Sequence, residues 1–164
     1  MENPTMLVLW DIDMTLVDMR GLGVSWYERA LEEVLGVRLR TAPSFPGCTE
    51  RSITSELLRA HGVEPTERLI QRMFDRLVEI ADEQSGSLAE RGSALPGAAA
   101  ALEALRPQVE QSLVTGNLRA VAERKLAAFS LERHVDLDIG GYGAISEQRA
   151  DLVAAAMANA SAKH

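Results

Sequence analysis

Three observations predict an α/β fold for this 164-residue chain, with one parallel sheet and a helical insert. The run Leu7-Val8-Leu9-Trp10 leads straight into Asp11, the pattern of a strand buried on both faces in the middle of a parallel sheet. Between about Asp18 and Ser93 every periodic segment reads as helix or loop. After that, helix and strand alternate, and parallel neighbours require helical crossovers.

The first helix is expected over Val24 to Leu35, with Ala30, Leu31, Val34 and Leu35 on one face, Glu28, Arg29, Glu32 and Glu33 on the other, and Gly36 as its stop. Two prolines and a glycine make 41–49 a loop. A second helix runs from about Glu50 to Ala60. A third starts near Pro65-Thr66-Glu67 and carries the stripe Leu69, Ile70, Met73, Phe74, Leu77, Ile80 and Ala81. Three helices with narrow apolar faces make a small bundle. Past Pro96-Gly97 a helix covers Ala98 to Leu105, and 110–117 is a short strand and turn ending in Thr115-Gly116-Asn117. The helix Leu118 to Phe129 follows, then a third strand at Val135 to Ile139, a loop at Gly140-Gly141-Tyr142-Gly143 and an alanine-rich helix from Gln148 to Ala162.

Composition narrows the function classes. The chain is long enough for one sizeable core, or a core with a small subdomain, but not for two full domains. A net charge of −7 argues against non-specific nucleic-acid binding, although a local positive site can still take an anionic substrate. The single cysteine, Cys48, makes no internal disulfide, and nothing at the N-terminus reads as a signal peptide or membrane span. The expectation is a cytoplasmic protein without a membrane or nucleic-acid partner.

Asp11 and Asp13 stand at the C-terminal end of the first strand, where open α/β sheets bind their ligands. A bare D-x-D is often a turn cap, but two acids after a wholly apolar strand point to chemistry. An EF-hand loop is excluded, since its required Gly and Glu positions hold Leu16 and Leu22. A dinucleotide fingerprint is excluded too, since Trp26 stands at the third glycine position of the Gly21-Leu22-Gly23 run.

The stretch Leu7 to Thr15 resembles the first motif of the haloacid dehalogenase superfamily, D-x-D-x-T after an apolar strand, with Met14 where Gly is usual. The resemblance implies that Asp11 is the nucleophile accepting a phosphoryl group and Asp13 the general acid and base. Members acting on carbon-halogen bonds generally lack the second Asp, so phosphate is the expected group. Phosphoryl transfer needs an in-line nucleophile, charge neutralisation and a proton donor for the leaving group, which suits two carboxylates beside a cation. The element order is similar to members of the phosphoglycolate-phosphatase-like and β-phosphoglucomutase-like type. It implies a Rossmann-like parallel core over 1–19 and 93–164, with a helical cap inserted over 20–92.

Thr115, Gly116 and Asn117 match the family's second motif, whose hydroxyl and amides receive phosphate; alone, the same triplet reads as a turn and helix cap. The loop Pro46 to Arg51 resembles the cap's substrate-facing Gly-Arg-Thr-Asp segment, with Cys48 in place of Arg, and Thr15 and Arg51 join the implied substrate contacts. For the third-motif cation, Arg149 is the positional match and is favoured. Lys125 is the competitor, although Glu123 and Arg124 beside it suggest a solvated face.

The fourth motif, a strand carrying Gly-Asp-x-x-x-Asp after the last helix, has no counterpart before His164, which implies a C-terminally incomplete core. Asp11, with the Asp13 carbonyl, is the implied Mg²⁺ site. The leading function is a Mg²⁺-dependent phosphatase acting on a small phosphate ester. The alternatives are a non-catalytic binding module of the same fold and a phosphomutase. The two cap connections, Leu16 to Gly23 and Glu90 to Pro96, are expected to let the cap move as a lid over Asp11.

Overall fold

The computed structural model describes residues 6–163. Along the chain, β1 (Leu7–Trp10) and a two-residue strand β2 (Val17–Asp18) precede helices α1 (Leu22–Leu35), α2 (Glu50–Ala60) and α3 (Glu67–Gln84). A short helix α4 (Leu88–Arg91) leads into β3 (Ser93–Ala94), followed by α5 (Ala98–Leu105), β4 (Glu110–Thr115), α6 (Arg119–Ala127), β5 (Gly141–Tyr142) and α7 (Arg149–Lys163). The three strands β1-β4-β5 form one parallel sheet in that order, with Leu7 opposite Glu110 and Val114 opposite Gly141.

Local chemistry explains where the helices begin and end. Thr49 and Ser52 form a reciprocal box at the start of α2: the Thr49 hydroxyl accepts from the Ser52 amide, and the Ser52 hydroxyl accepts from the Thr49 amide. Thr66 caps α3 through the Leu69 amide, and Gly36 ends α1 at φ 69°, a left-handed angle that glycine takes without strain. The α3 stripe read from the sequence is buried from Ile70 to Ala81. It packs on α1 and reaches α6, so the apolar core runs without a break from Ile12, Leu16 and Leu113 beside the sheet to Leu31, Met73 and Leu77 in the insert. Each such side chain contributes about 1.5–3 kcal/mol by leaving water.

Two expectations are corrected. First, β1 pairs with β4 alone among the described residues, so it is an edge strand, and its four side chains are only half-buried where a central position was expected. Second, Val135 to Ile139 is not a strand. The Asp136 carboxylate accepts from the Asp138 amide and turns Leu137–Ile139 into a short 3₁₀ helix, while the third strand forms two residues later, in the segment read as a loop. The Asp136 amide still donates to Gln111 O at 2.7 Å, keeping the segment beside β4.

One pairing has no local signature. The chain leaves the core through β2 and re-enters it through β3, and these pair antiparallel, Val17 opposite Ala94 and Asp18 opposite Ser93. The two connections to the insert therefore form one hydrogen-bonded stalk, extended by Leu95 N donating to Leu16 O at 2.9 Å. No helix among the described residues is long and apolar enough to cross a membrane.

Candidate active site

Past Trp10 the chain turns tightly. The amides of Thr15, Leu16 and Val17 all point at Ile12 O, and Met14 stands at φ 59° in the left-handed region, the position where the motif usually has glycine. This turn presents Asp11 and Asp13 at the C-terminal end of the sheet. Asp11 Oδ1 accepts from the Ile12 amide at 2.8 Å, and Oδ2 lies 3.1 Å from an Arg149 guanidinium nitrogen. Asp13 Oδ1 accepts from Lys125 Nζ at 2.8 Å and Oδ2 from the Asn117 amide nitrogen at 2.7 Å.

Each aspartate thus has its own cation, Arg149 beside Asp11 and Lys125 beside Asp13. The expectation that Lys125 sits on a solvated face is corrected. Lys125 is buried, and its ammonium bridges Asp13 to Asn117 Oδ1, the latter at 2.8 Å. Burying a lysine ammonium is costly unless it is paired, and here a carboxylate and an amide oxygen supply the pairing. Arg149 begins α7 and faces Asp11 from the other side of the cavity, touching Cys48 O at 3.5 Å.

Thr115, at the end of β4, is fully buried, and its hydroxyl accepts from both the backbone and the side-chain nitrogens of Asn117. Gly116 and Asn117 line the cavity with Asp11 and Asp13. Glycine is required at 116, since a Cβ there would lie 2.1 Å from Cys48 O. Thr15 is exposed on the turn and Arg51 faces elsewhere; neither lines the cavity. Arg51 fastens the insert to the core instead, donating to Ala144 O at 2.7 Å and to Glu67, with its guanidinium 5.8 Å from the Phe74 ring centre.

The cavity holds about 490 Å³ and lies between the sheet end and the insert, which supplies Trp26, Tyr27, Phe45 to Cys48, Glu50, Ile53 and Leu77 to its wall. Backbone bonds close its rim: Glu50 N donates to Gly116 O at 2.8 Å and Arg51 N to Gly143 O at 3.0 Å. Glu50 and Tyr27 were not singled out in the sequence. The Glu50 carboxylate is buried, takes a short hydrogen bond from the Tyr27 hydroxyl, and that hydroxyl also contacts Thr54 Oγ1 at 3.0 Å. Burial pushes the Glu50 carboxyl up to about 6 and Asp13 adds to this, while the Tyr27 hydrogen bond and Lys125 pull it down. Tyr27 is raised as well, first by burial and then by the Glu50 charge. The available signal was the acid following Thr49, in the place of Asp in the Gly-Arg-Thr-Asp pattern.

A hard divalent cation suits this donor set in kind. No cluster of three or more His, Cys, Asp or Glu side chains among the described residues forms a metal cage. Mg²⁺ does not need one, since it commonly uses one or two carboxylates completed by phosphate and water.

An α/β protein with a carboxylate pair at the sheet's C-terminal end, each acid beside its own cation and roofed by a helical insert, is the class that fold and site define. The chain belongs to the haloacid dehalogenase-like hydrolase family, whose model matches residues 8–163. Among solved structures it is similar to a predicted phosphatase from Clostridium acetobutylicum, at 16% identity and TM-score 0.60, over 93% of this chain and 68% of that one. It is also similar to a predicted phosphoglycolate phosphatase from Haemophilus somnus 129PT, at 20% identity and TM-score 0.52, over 79% of this chain and 60% of that one. These likenesses are of fold, and this chain spans only 68% and 60% of the length of the two structures. No curated protein matches the sequence.

Proposed function

We propose that this chain carries the catalytic centre of a Mg²⁺-dependent phosphatase that hydrolyses a small phosphate monoester through an aspartyl-phosphate on Asp11. The observation that carries the reading is the pairing of Asp11 with Arg149 and of Asp13 with Lys125 on one enclosed cavity. Asp11, held by the Ile12 amide, attacks phosphorus, and the ester oxygen leaves with a proton from Asp13. Water then attacks the phosphorus of the aspartyl-phosphate, Asp13 takes its proton, and the bond to Asp11 breaks to release phosphate. Arg149 balances charge on the nucleophile and the phosphoryl oxygens through its planar fork. Lys125 and Asn117 keep the Asp13 carboxyl aimed at the ester oxygen. Asp11 and the Asp13 carbonyl would hold Mg²⁺, whose charge neutralises the phosphoryl oxygens when it is bound.

In this reading residues 20–92 act as a lid over a core of 1–19 and 93–164, of which 1–5 and 164 lie outside the described residues. The paired β2–β3 stalk supports it, as do the rim bonds from Glu50 and Arg51. The test is hydrolysis of a phosphate ester with and without Mg²⁺, by the parent and by Asp11→Asn. Turnover that depends on Mg²⁺ and is lost in the nearly isosteric variant is expected. Retained turnover in Asp11→Asn would remove the covalent step, and no turnover in the parent under either condition would leave a binding module.

A further inference from the structure

The part of the cavity formed by the insert is lined mainly by apolar side chains. Leu22, Trp26, Phe45, Ile53 and Leu77 of the insert line it, and Val121 of α6 continues the same apolar surface on the core side. These groups are held in place. The Phe45 ring packs on Tyr27 with centroids 6.0 Å apart and lies 3.2 Å from where a Cβ at Gly23 would stand. The insert's charged side chains on the cavity are Arg20, which is exposed, and Glu50, whose Oε1 is already taken by Tyr27.

We propose that the organic part of the substrate is uncharged and predominantly apolar, an aryl or arylalkyl group filling the space between Trp26, Phe45, Leu77 and Val121. This rests on the phosphatase reading. A polyhydroxylated group placed there would give up hydrogen bonds to water and meet side chains that offer none back. A second anionic group would meet Glu50 and Asp18, with the core cations Lys125 and Arg149 already paired with Asp13 and Asp11 and the solvent-facing Arg20 as the remaining cation among the described lining residues. About 490 Å³ accommodates a phosphate together with a ring and a short linker.

The experiment compares kcat/KM of the full chain, with Mg²⁺, for 2-phenylethyl phosphate, glycerol 1-phosphate and 2-phosphoglycolate, all esters of primary alcohols. Isothermal titration with 2-phenylethylphosphonate and 3,4-dihydroxybutylphosphonate supplies an independent measure of binding. We expect the phenylethyl ester to be preferred by about a hundredfold, and Phe45→Asn, a change in a partly exposed loop residue, to narrow that ratio by about tenfold. Equal or better turnover of the glycerol or glycolate ester would overturn the proposal while leaving the phosphatase reading intact. If no ester is hydrolysed, the phosphatase reading fails and the titration decides: tighter binding of the phenyl phosphonate supports the apolar pocket, and equal binding overturns it.

Discussion

Replacing Glu50 by Gln tests how the buried roof of the cavity is balanced. Glutamine keeps an oxygen to accept from Tyr27 but cannot ionise. In the parent, burial moves the Glu50 carboxyl from 4.5 to about 6, against the pull of Tyr27 and Lys125 and with the push of Asp13. The folded protein therefore holds this proton more tightly than the unfolded chain. The resulting stabilisation is complete below about pH 4.5 and is lost as pH rises through about 6. At 1.36 kcal/mol per pH unit the loss is about 2 kcal/mol. Subtracting the parent's urea-unfolding free energy from the variant's at each pH cancels the titrating groups that do not interact with Glu50. The difference should grow in favour of Glu50→Gln by about 2 kcal/mol between pH 4.5 and 8, equivalent to about 4–8 °C in Tm for a chain of this size. A difference that stays flat, or falls, across that range would refute the account of Glu50 as a carboxyl whose proton is held more tightly because it is buried.

Three further outcomes follow from the geometry. Asp13→Asn should slow both formation and breakdown of the intermediate by about 10²- to 10⁴-fold in rapid-quench measurements, and rates equal to the parent's would take Asp13 out of the chemistry. Lys125→Met leaves the Asp13 carboxylate and the Asn117 carbonyl oxygen without their shared donor, so urea unfolding should show a loss of about 1–3 kcal/mol together with a fall in turnover; unchanged turnover would restrict Lys125 to the fold. Gly143→Ala would place a Cβ 1.7 Å from Gly116 O and 2.8 Å from Glu50 N, so hydrogen exchange at the Glu50 and Arg51 amides should accelerate as the rim opens, and unchanged protection would contradict the packing.

Much of the architecture is legible in the sequence because it is written in short-range pattern. The apolar run ending in Asp11, the 3.6-residue stripe of α3 and the Thr49 and Thr66 caps each act within a few residues, so strand, helices and helix starts follow from local physics. The resemblance carried by D-x-D-x-T and Thr115-Gly116-Asn117 located the acid pair and the second segment beside it, and the family match covers both.

What local pattern could not decide was decided by the tertiary structure. An Asx turn at Asp136 competed successfully with strand pairing, and the two-residue β2 and β3 exist only because they meet each other. Lys125 reads as a surface residue among Glu123 and Arg124, and only the packing of α6 against the β1 turn buries it beside Asp13, 112 residues away. Glu50 and Tyr27, 23 residues apart, become one buried pair only because the fold brings α1 and the start of α2 together. An ionisable side chain's role depends on the partners and the water around it, and those are set by contacts between segments that no spacing along the chain encodes.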